Sequence, residues 1–200
     1  MKLMARRYQL RKRAEEMEDT RRRIAEAAVE LHGTLGPART TVSAVAERAG
    51  VQRHTVYRHF PTEHELYTAC SGLFDRRHPW PGVDAWAAIE DPRERLRIGL
   101  NQMYGYYADT AHMWTRVLRD RDLVDALEPT LAPFNEHVER AAKVLSSGWS
   151  VHGSRRRVLS AAVHHAIDLG TWRSLVELRG VSRRQAVVLM VALVERAGGE

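Results

Sequence analysis

The apolar positions Leu10, Ala14, Met17, Ile24, Ala28 and Leu31 follow one another at spacings of three and four, apart from one seven-residue gap bridged by Arg21. This stripe predicts a helix that begins well before Thr20 and joins an N-terminal arm to the first core helix. If Thr20 instead capped a new helix, three arginines would crowd its positive end, and nearby phosphates would have to offset them. Gly33, Gly36 and Pro37 mark the loop that follows. Val42, Val45, Ala46 and Ala49 form a second periodic segment, ended by Gly50 and Val51. A third segment, Gln52 to Phe60, sends Val56 and Phe60 to one face. Thr62 and Glu65 form a capping box for a fourth helix from Glu63 to about Arg77, with Leu66, Ala69, Leu73 and Phe74 inward. His78-Pro79-Trp80-Pro81-Gly82 breaks that helix. Further helices are predicted over 84–90, 92–107, 109–119, 121–127, 130–147, 154–179 and 182–197.

The second and third segments together read as a helix-turn-helix, with a glycine at the tight turn. The outer face of the third carries Arg53, His54, Tyr57, Arg58 and His59, the side chains that a DNA major groove asks for. Arg53 and His54 lie near its N-terminus, the end that reaches base edges, and Arg53 suits bidentate contact with a guanine. Thr41 is placed to cap the second segment and to offer its hydroxyl to a phosphate.

Thr40, Thr41, Val42, Val45, Ala46, Ala49, Gly50, Val51, Thr55, Tyr57, His59 and Phe60 stand in the register of a known pattern. The stretch resembles the DNA-binding region of TetR-family transcriptional regulators. The resemblance runs from Ile24 to Leu66, about a quarter of the chain. It implies that Tyr57 and His59 contact the DNA backbone and that Thr55 faces the groove. A structural role for His59, tying helices together beside Phe60, is the competing reading. Two positions depart from the family pattern. Glu63 stands where a lysine often reaches a phosphate, which puts that contact in doubt. Gln52 replaces a capping serine and makes a weaker cap. The DNA-binding set is therefore Thr41, Gln52, Arg53, His54, Thr55, Tyr57, Arg58 and His59.

Charge sharpens this picture. Residues 1–60 hold 13 Lys and Arg against 7 Asp and Glu, a surplus equal to the net charge of +6 of the whole chain. The remainder is balanced, so a phosphate-binding module joined to a neutral body is expected. Arg6, Arg7, Arg11, Lys12 and Arg13 of the arm would lie near DNA, or would serve only as a solubilising terminus. Composition rich in helix formers predicts an all-α chain. The expected organisation is a basic, helical arm over 1–19, a three-helix helix-turn-helix domain over 20–78, and a helical ligand-binding and dimerisation domain over 79–200. The single cysteine, Cys70, excludes an internal disulfide. With no apolar run of transmembrane length and no signal-peptide core, a soluble cytoplasmic protein without membrane contact is expected.

The last two long segments are the expected dimer element; the competing reading is that their faces only complete a monomer's core. Val158, Leu159, Ala162, Val163, Ala166 and Leu169 form one broad apolar face, and Ala186, Val187, Leu189, Met190, Leu193 and Val194 another. In the family that is resembled, two such helices per subunit build a four-helix interface, and a two-fold dimer suits a palindromic operator in double-stranded DNA. The resemblance also implies a pocket for a small-molecule effector. The aromatic stripes of residues 92–179 place it among Met103, Tyr104, Tyr107, Trp114 and Trp172, with His165 or Asp168 as polar anchor. An anionic Asp168 facing that cavity would favour a flat cationic ligand.

His164, His165 and Asp168, with Asp109 and His112, raise a metal site and hence an all-α metal-dependent enzyme as a competing class. The Glu-x-x-His pairs of di-iron bundles, a phosphate loop and a serine elbow are all missing. No catalytic residue, cofactor or metal is assigned. The expected function is a ligand-released, homodimeric, sequence-specific repressor; a DNA-organising protein without effector is a further alternative.

Overall fold

The computed structural model describes Lys2–Gly199, with side chains from Arg7 onward, so Arg6 of the arm lies outside the described side chains. Among the described residues every regular element is helical. The order is α1 (Lys2–Thr34), α2 (Val42–Ala49), α3 (Arg53–His59), α4 (Glu63–Arg77), α5 (Val83–Ala87), α6 (Pro92–Asp120), α7 (Leu127–Leu145), α8 (Ser154–Ile167), α9 (Leu169–Trp172) and α10 (Arg183–Gly198). The chain divides into two compact units. The first contains the chain up to Arg77 together with His112–Thr130, and the second contains His78–Ala111 and everything from Leu131 onward. Helix α6 therefore contributes to both.

In the first unit α1 runs unbroken through Thr20, whose hydroxyl donates to the Glu16 carbonyl at 2.8 Å. Thr20 is thus interior to the helix and caps nothing. Helix α1 packs on α2 and α4, and α2 on α3. Ile24, Ala28, Val45, Ala46, Val56, Phe60, Leu66 and Phe74 fill the centre, each large side chain contributing about 1.5–3 kcal/mol by leaving water. Helix α4 buries Leu66 and Phe74 as hydrophobicity predicts, but not the other two residues expected inward. Tyr67 and Cys70 are buried, while Ala69 and Leu73 are only half-buried. The reason is His32, itself buried on α1. Its ring stacks on Tyr67 with centroids 5.0 Å apart, and its Nδ1 lies 3.7 Å from Cys70 Sγ. Burial pushes the His32 imidazole down to about 4 and the Cys70 thiol up to about 12.

The end of α6 is tied to the loop ahead of α2. The buried Asp120 carboxylate accepts from the Ala38 N–H at 3.0 Å and from both nitrogens of the Arg119 fork. Arg119 also donates to the Leu35 carbonyl and Arg116 to that of Thr34. Gly36 closes this corner with φ +96°, and a Cβ there would fall on the Arg119 guanidinium and 2.5 Å from Asp120 Oδ2. Only glycine fits, on both counts.

Beyond α4, four of the predicted helices turn out differently. Residues 92–107 and 109–119 form one helix, because no Gly or Pro stands between Tyr106 and Asp120 and the Thr110 hydroxyl bonds back to the Tyr106 carbonyl. The segment 154–179 is broken at Asp168, which is extended (φ −70°, ψ 137°) and caps α9 by accepting from the N–H groups of Gly170 and Thr171. The carbonyls of Ala166 and Ile167 at the broken end accept from the hydroxyls of Tyr104 and Tyr107, at 2.8 and 2.6 Å. Over 121–127 the chain makes only a 3-10 turn before α7. Buried Arg95 donates to the carbonyls of Ile89, Glu90 and Ser147, fastening the turn before α6 to the end of α7. Helix α10 opens on a full capping box between Ser182 and Gln185 and packs along α8.

Candidate nucleic-acid interface

Local chemistry shapes the helix-turn-helix. Thr41 Oγ1 accepts from the Ala44 N–H at 3.1 Å and so caps α2. Gly50 adopts the left-handed conformation (φ 66°, ψ 38°), and the N–H of Val51 returns to the Ala46 carbonyl at 2.9 Å. Helix α3 then begins after Gln52, whose side chain makes no cap. Val56 and Phe60 hold α3 on the core.

Arginines of α1 brace the motif from behind. Arg21 donates to the His59 carbonyl and lies over the Phe60 ring, 4.1 Å from its centroid. Arg23 donates to the carbonyl of Ala49 at the end of α2. Arg21 thus occupies the apolar stripe because it spans to α3, not as a gap in the pattern.

The opposite face of α3 is open. Gln52, Arg53, His54, Tyr57 and Arg58 are exposed, Thr55 is half-buried, and Thr41 is exposed at the start of α2. Arg53 Nη2 donates to the Tyr57 hydroxyl at 3.1 Å, one turn along the helix. His59 departs from this group. It is buried, and burial, followed by the charges of Arg58 and Arg21, lowers its imidazole below the usual histidine range. Glu63 opens α4, where Thr62 Oγ1 accepts from the Glu65 N–H; its carboxylate suits that helix end. Along the arm, residues 7–19 are all exposed, and Arg11 and Lys12 pair with Glu15 and Glu16 one turn on.

The residues expected to bind a ligand are split. Met103, Tyr104, Tyr107 and Trp172 lie buried in the second unit, with the Tyr107 ring 6.5 Å from Tyr104 and 6.1 Å from Trp172. Trp114 is buried too, but in the first unit. His165 and Asp168 are exposed: His165 Nδ1 meets the Thr171 hydroxyl at 3.2 Å, and Asp168 is taken up by the α9 cap. An attraction for a cationic ligand through Asp168 thereby loses its basis. Sequence reasoning passed over the side chains of Trp80 and His137, which lie together in this unit with rings 5.1 Å apart; only a residue pair 57 positions apart in the chain could have signalled it.

The histidines raised for a metal are occupied separately. His164 Nδ1 lies 2.7 Å from the Ser160 carbonyl and its Nε2 3.3 Å from Glu139. Among the described residues, no three His, Cys, Asp or Glu converge on a metal position.

Comparison with known proteins agrees with this geometry. Residues 24–70 match the family model for bacterial regulatory proteins of the tetR family. Over 69 residues the chain is 42% identical to the HTH-type transcriptional regulator SrpR of Pseudomonas putida, and equally to the HTH-type transcriptional regulator TtgR of the same species. That stretch is 34% of this chain and 32% and 31% of theirs, so the chain spans about a third of the length of the curated relatives it matches. The fold is shared much further. A TetR-like transcriptional regulator from a Rhodococcus species superposes with a TM-score of 0.59 at 21% identity, over 88% of this chain and 94% of that one. The TetR-family regulator PfmR from Thermus thermophilus gives 0.59 at 20% identity, over 88% and 93%. The chain thus carries a TetR-type helix-turn-helix within an all-helical fold of the same kind.

Proposed function

We propose that this chain, with its TetR-type helix-turn-helix, is a sequence-specific transcriptional regulator: a homodimeric repressor that a small molecule releases from a palindromic operator. One observation carries the reading most. Gln52, Arg53, His54, Tyr57 and Arg58 form an exposed polar face on a helix whose other side is pinned by Val56, Phe60 and Arg21. A rigid helix with an open basic and aromatic face is what major-groove reading requires. The surplus of six positive charges in residues 1–60 supplies the sequence-independent attraction to phosphate.

The dimer reading draws on α8 and α10. Leu159, Val163, Ala186, Val187, Met190 and Val194 pack inward, yet Val158, Val188, Leu189 and Leu193 remain 56%, 61%, 49% and 42% exposed. Exposed apolar side chains on these two helices favour a second protein surface, and a two-fold partner would place two recognition helices against two half-sites.

The reading of release by ligand draws on α6. Its first part belongs to the second unit and its last part to the first, where Asp120 holds the turn ahead of α2. A ligand that prefers one placement of α6 shifts the population of DNA-competent molecules by its differential affinity. The test is selection of bound sequences from random duplexes, with affinity measured against salt. A palindromic consensus with a steep salt dependence is expected. Equal affinity for every duplex would leave a DNA-organising protein instead, and no affinity would remove the reading altogether.

A further inference from the structure

The second unit contains buried N–H groups with nothing to donate to. Trp80 Nε1 and His137 Nε2 are both shielded from solvent, and neither has a hydrogen-bond partner. His137 is only 5% exposed. The Arg140 guanidinium lies 3.5 Å from its Nδ1. A guanidinium only donates, so Nδ1 accepts and the proton of the neutral ring sits on Nε2. Two donors therefore sit on neighbouring rings, and each is unfavourable while it is left unmet.

The surround is aromatic. Phe134 meets Trp80 edge-on at 5.8 Å, and Tyr106 stacks on Phe134 at 6.4 Å with 26° between the planes. Trp80 is half-buried and is carried on the non-helical segment 79–82, so its indole can swing aside without unwinding a helix. The exposed Arg140 adds a positive charge beside His137. Neighbouring aromatic rings, two N–H donors on rings 5.1 Å apart and one adjacent cation define a ligand chemistry.

We propose that Trp80, Tyr106, Phe134 and His137, with Arg140 beside them, form a binding site for a flat aromatic carboxylate. Its ring system stacks among Trp80, Phe134 and Tyr106. Its oxygens accept from Trp80 Nε1 and His137 Nε2, and Arg140 balances its charge. The proposal rests on the ligand-responsive reading and narrows the effector to an anion with hydrogen-bond acceptors. Trp80 lies three residues beyond the end of α4, so a ligand that fixes its indole also fixes the chain leaving the first unit.

The experiment uses the full chain without DNA, with 2-naphthoate and 2-naphthylmethylamine as probes that share a ring system and differ in charge. The indole N–H signal of Trp80 is identified in a nitrogen-15 correlation spectrum by its loss in Trp80→Phe. Saturating 2-naphthoate should move that signal downfield, and the amine should leave it in place. His137→Leu should weaken naphthoate binding about tenfold, and His137→Gln, which keeps an N–H donor, should largely restore it. A Trp80 signal unmoved by millimolar naphthoate, or moved equally by the amine, overturns the proposal. Binding here that leaves operator affinity unchanged keeps the site and sinks its regulatory role, so the two failures are told apart.

Discussion

The guanidinium of Arg53 donates to the hydroxyl of Tyr57 at 3.1 Å and lies 5.6 Å from the centre of the same ring. Two residues given separate tasks on DNA are therefore one assembly. On the proposed reading, the hydroxyl would preset the direction of the guanidinium before any base is met. Arg53→Ala should cost about 1–3 kcal/mol on the preferred operator and relax discrimination at one base pair. Tyr57→Phe should weaken binding and also blur that same base pair, because Arg53 loses its brace. A double-mutant cycle on operator DNA should return a coupling of at least about 0.5 kcal/mol. Additive losses would mean that the Arg53–Tyr57 pairing does not persist on DNA.

The second expectation concerns acid. Burial holds the His32 imidazole near 4 in the folded chain against an ordinary value of 6.5. Between those values the unfolded chain binds the proton and the folded chain does not. Stability is therefore full above about 6.5 and falls as pH drops toward 4, by about 3 kcal/mol at most. Urea unfolding followed from pH 7 to pH 4 should show this slope, and His32→Gln should flatten it. An unaltered slope in the variant would assign the acid loss to other groups.

The arm offers a test of counterion release. Deleting residues 1–13 removes six Lys and Arg and no acidic residue. The slope of log affinity against log salt should fall by about 0.9 for each phosphate that the arm no longer neutralises. Operator preference should survive, since α3 is untouched. A slope that does not change would make the arm a solubilising helix whose cations are satisfied by Glu15 and Glu16.

Leu189→Glu and Leu193→Glu place charge on the exposed face of α10. Sedimentation should report a dimer for the parent chain and a monomer for the double variant. Helical content should be unchanged, because neither side chain belongs to the interior. Operator affinity should drop at least about tenfold through loss of the second half-site. A variant that stays dimeric would place the interface elsewhere.

Trp114→Ala should destabilise the unit that carries the helix-turn-helix. Trp114 is 6% exposed and groups with α1 to α4 rather than with the second unit. Truncating a buried tryptophan costs about 3–5 kcal/mol, so thermal melting and DNA binding should suffer together. A loss confined to ligand response would return Trp114 to an effector site.

What the sequence determined by itself was everything governed by neighbours a turn or two away. The helical period exposed one face of α3 and buried Val56 and Phe60, Gly50 took the left-handed turn, and Thr41 capped α2. Each is decided within about four residues, so a linear reading reaches it. The tertiary structure decided what depends on partners distant along the chain. Tyr67 and Cys70 displaced Ala69 and Leu73 from the interior because His32, on another helix, lies across from them. The hydroxyls of Tyr104 and Tyr107, placed among the pocket residues by periodicity, are taken by distant carbonyls that Asp168 freed by breaking its helix. Helix α6 is divided between two units by packing that no local pattern records. Periodicity states which face of a helix is apolar, and only the assembled fold states what that face meets.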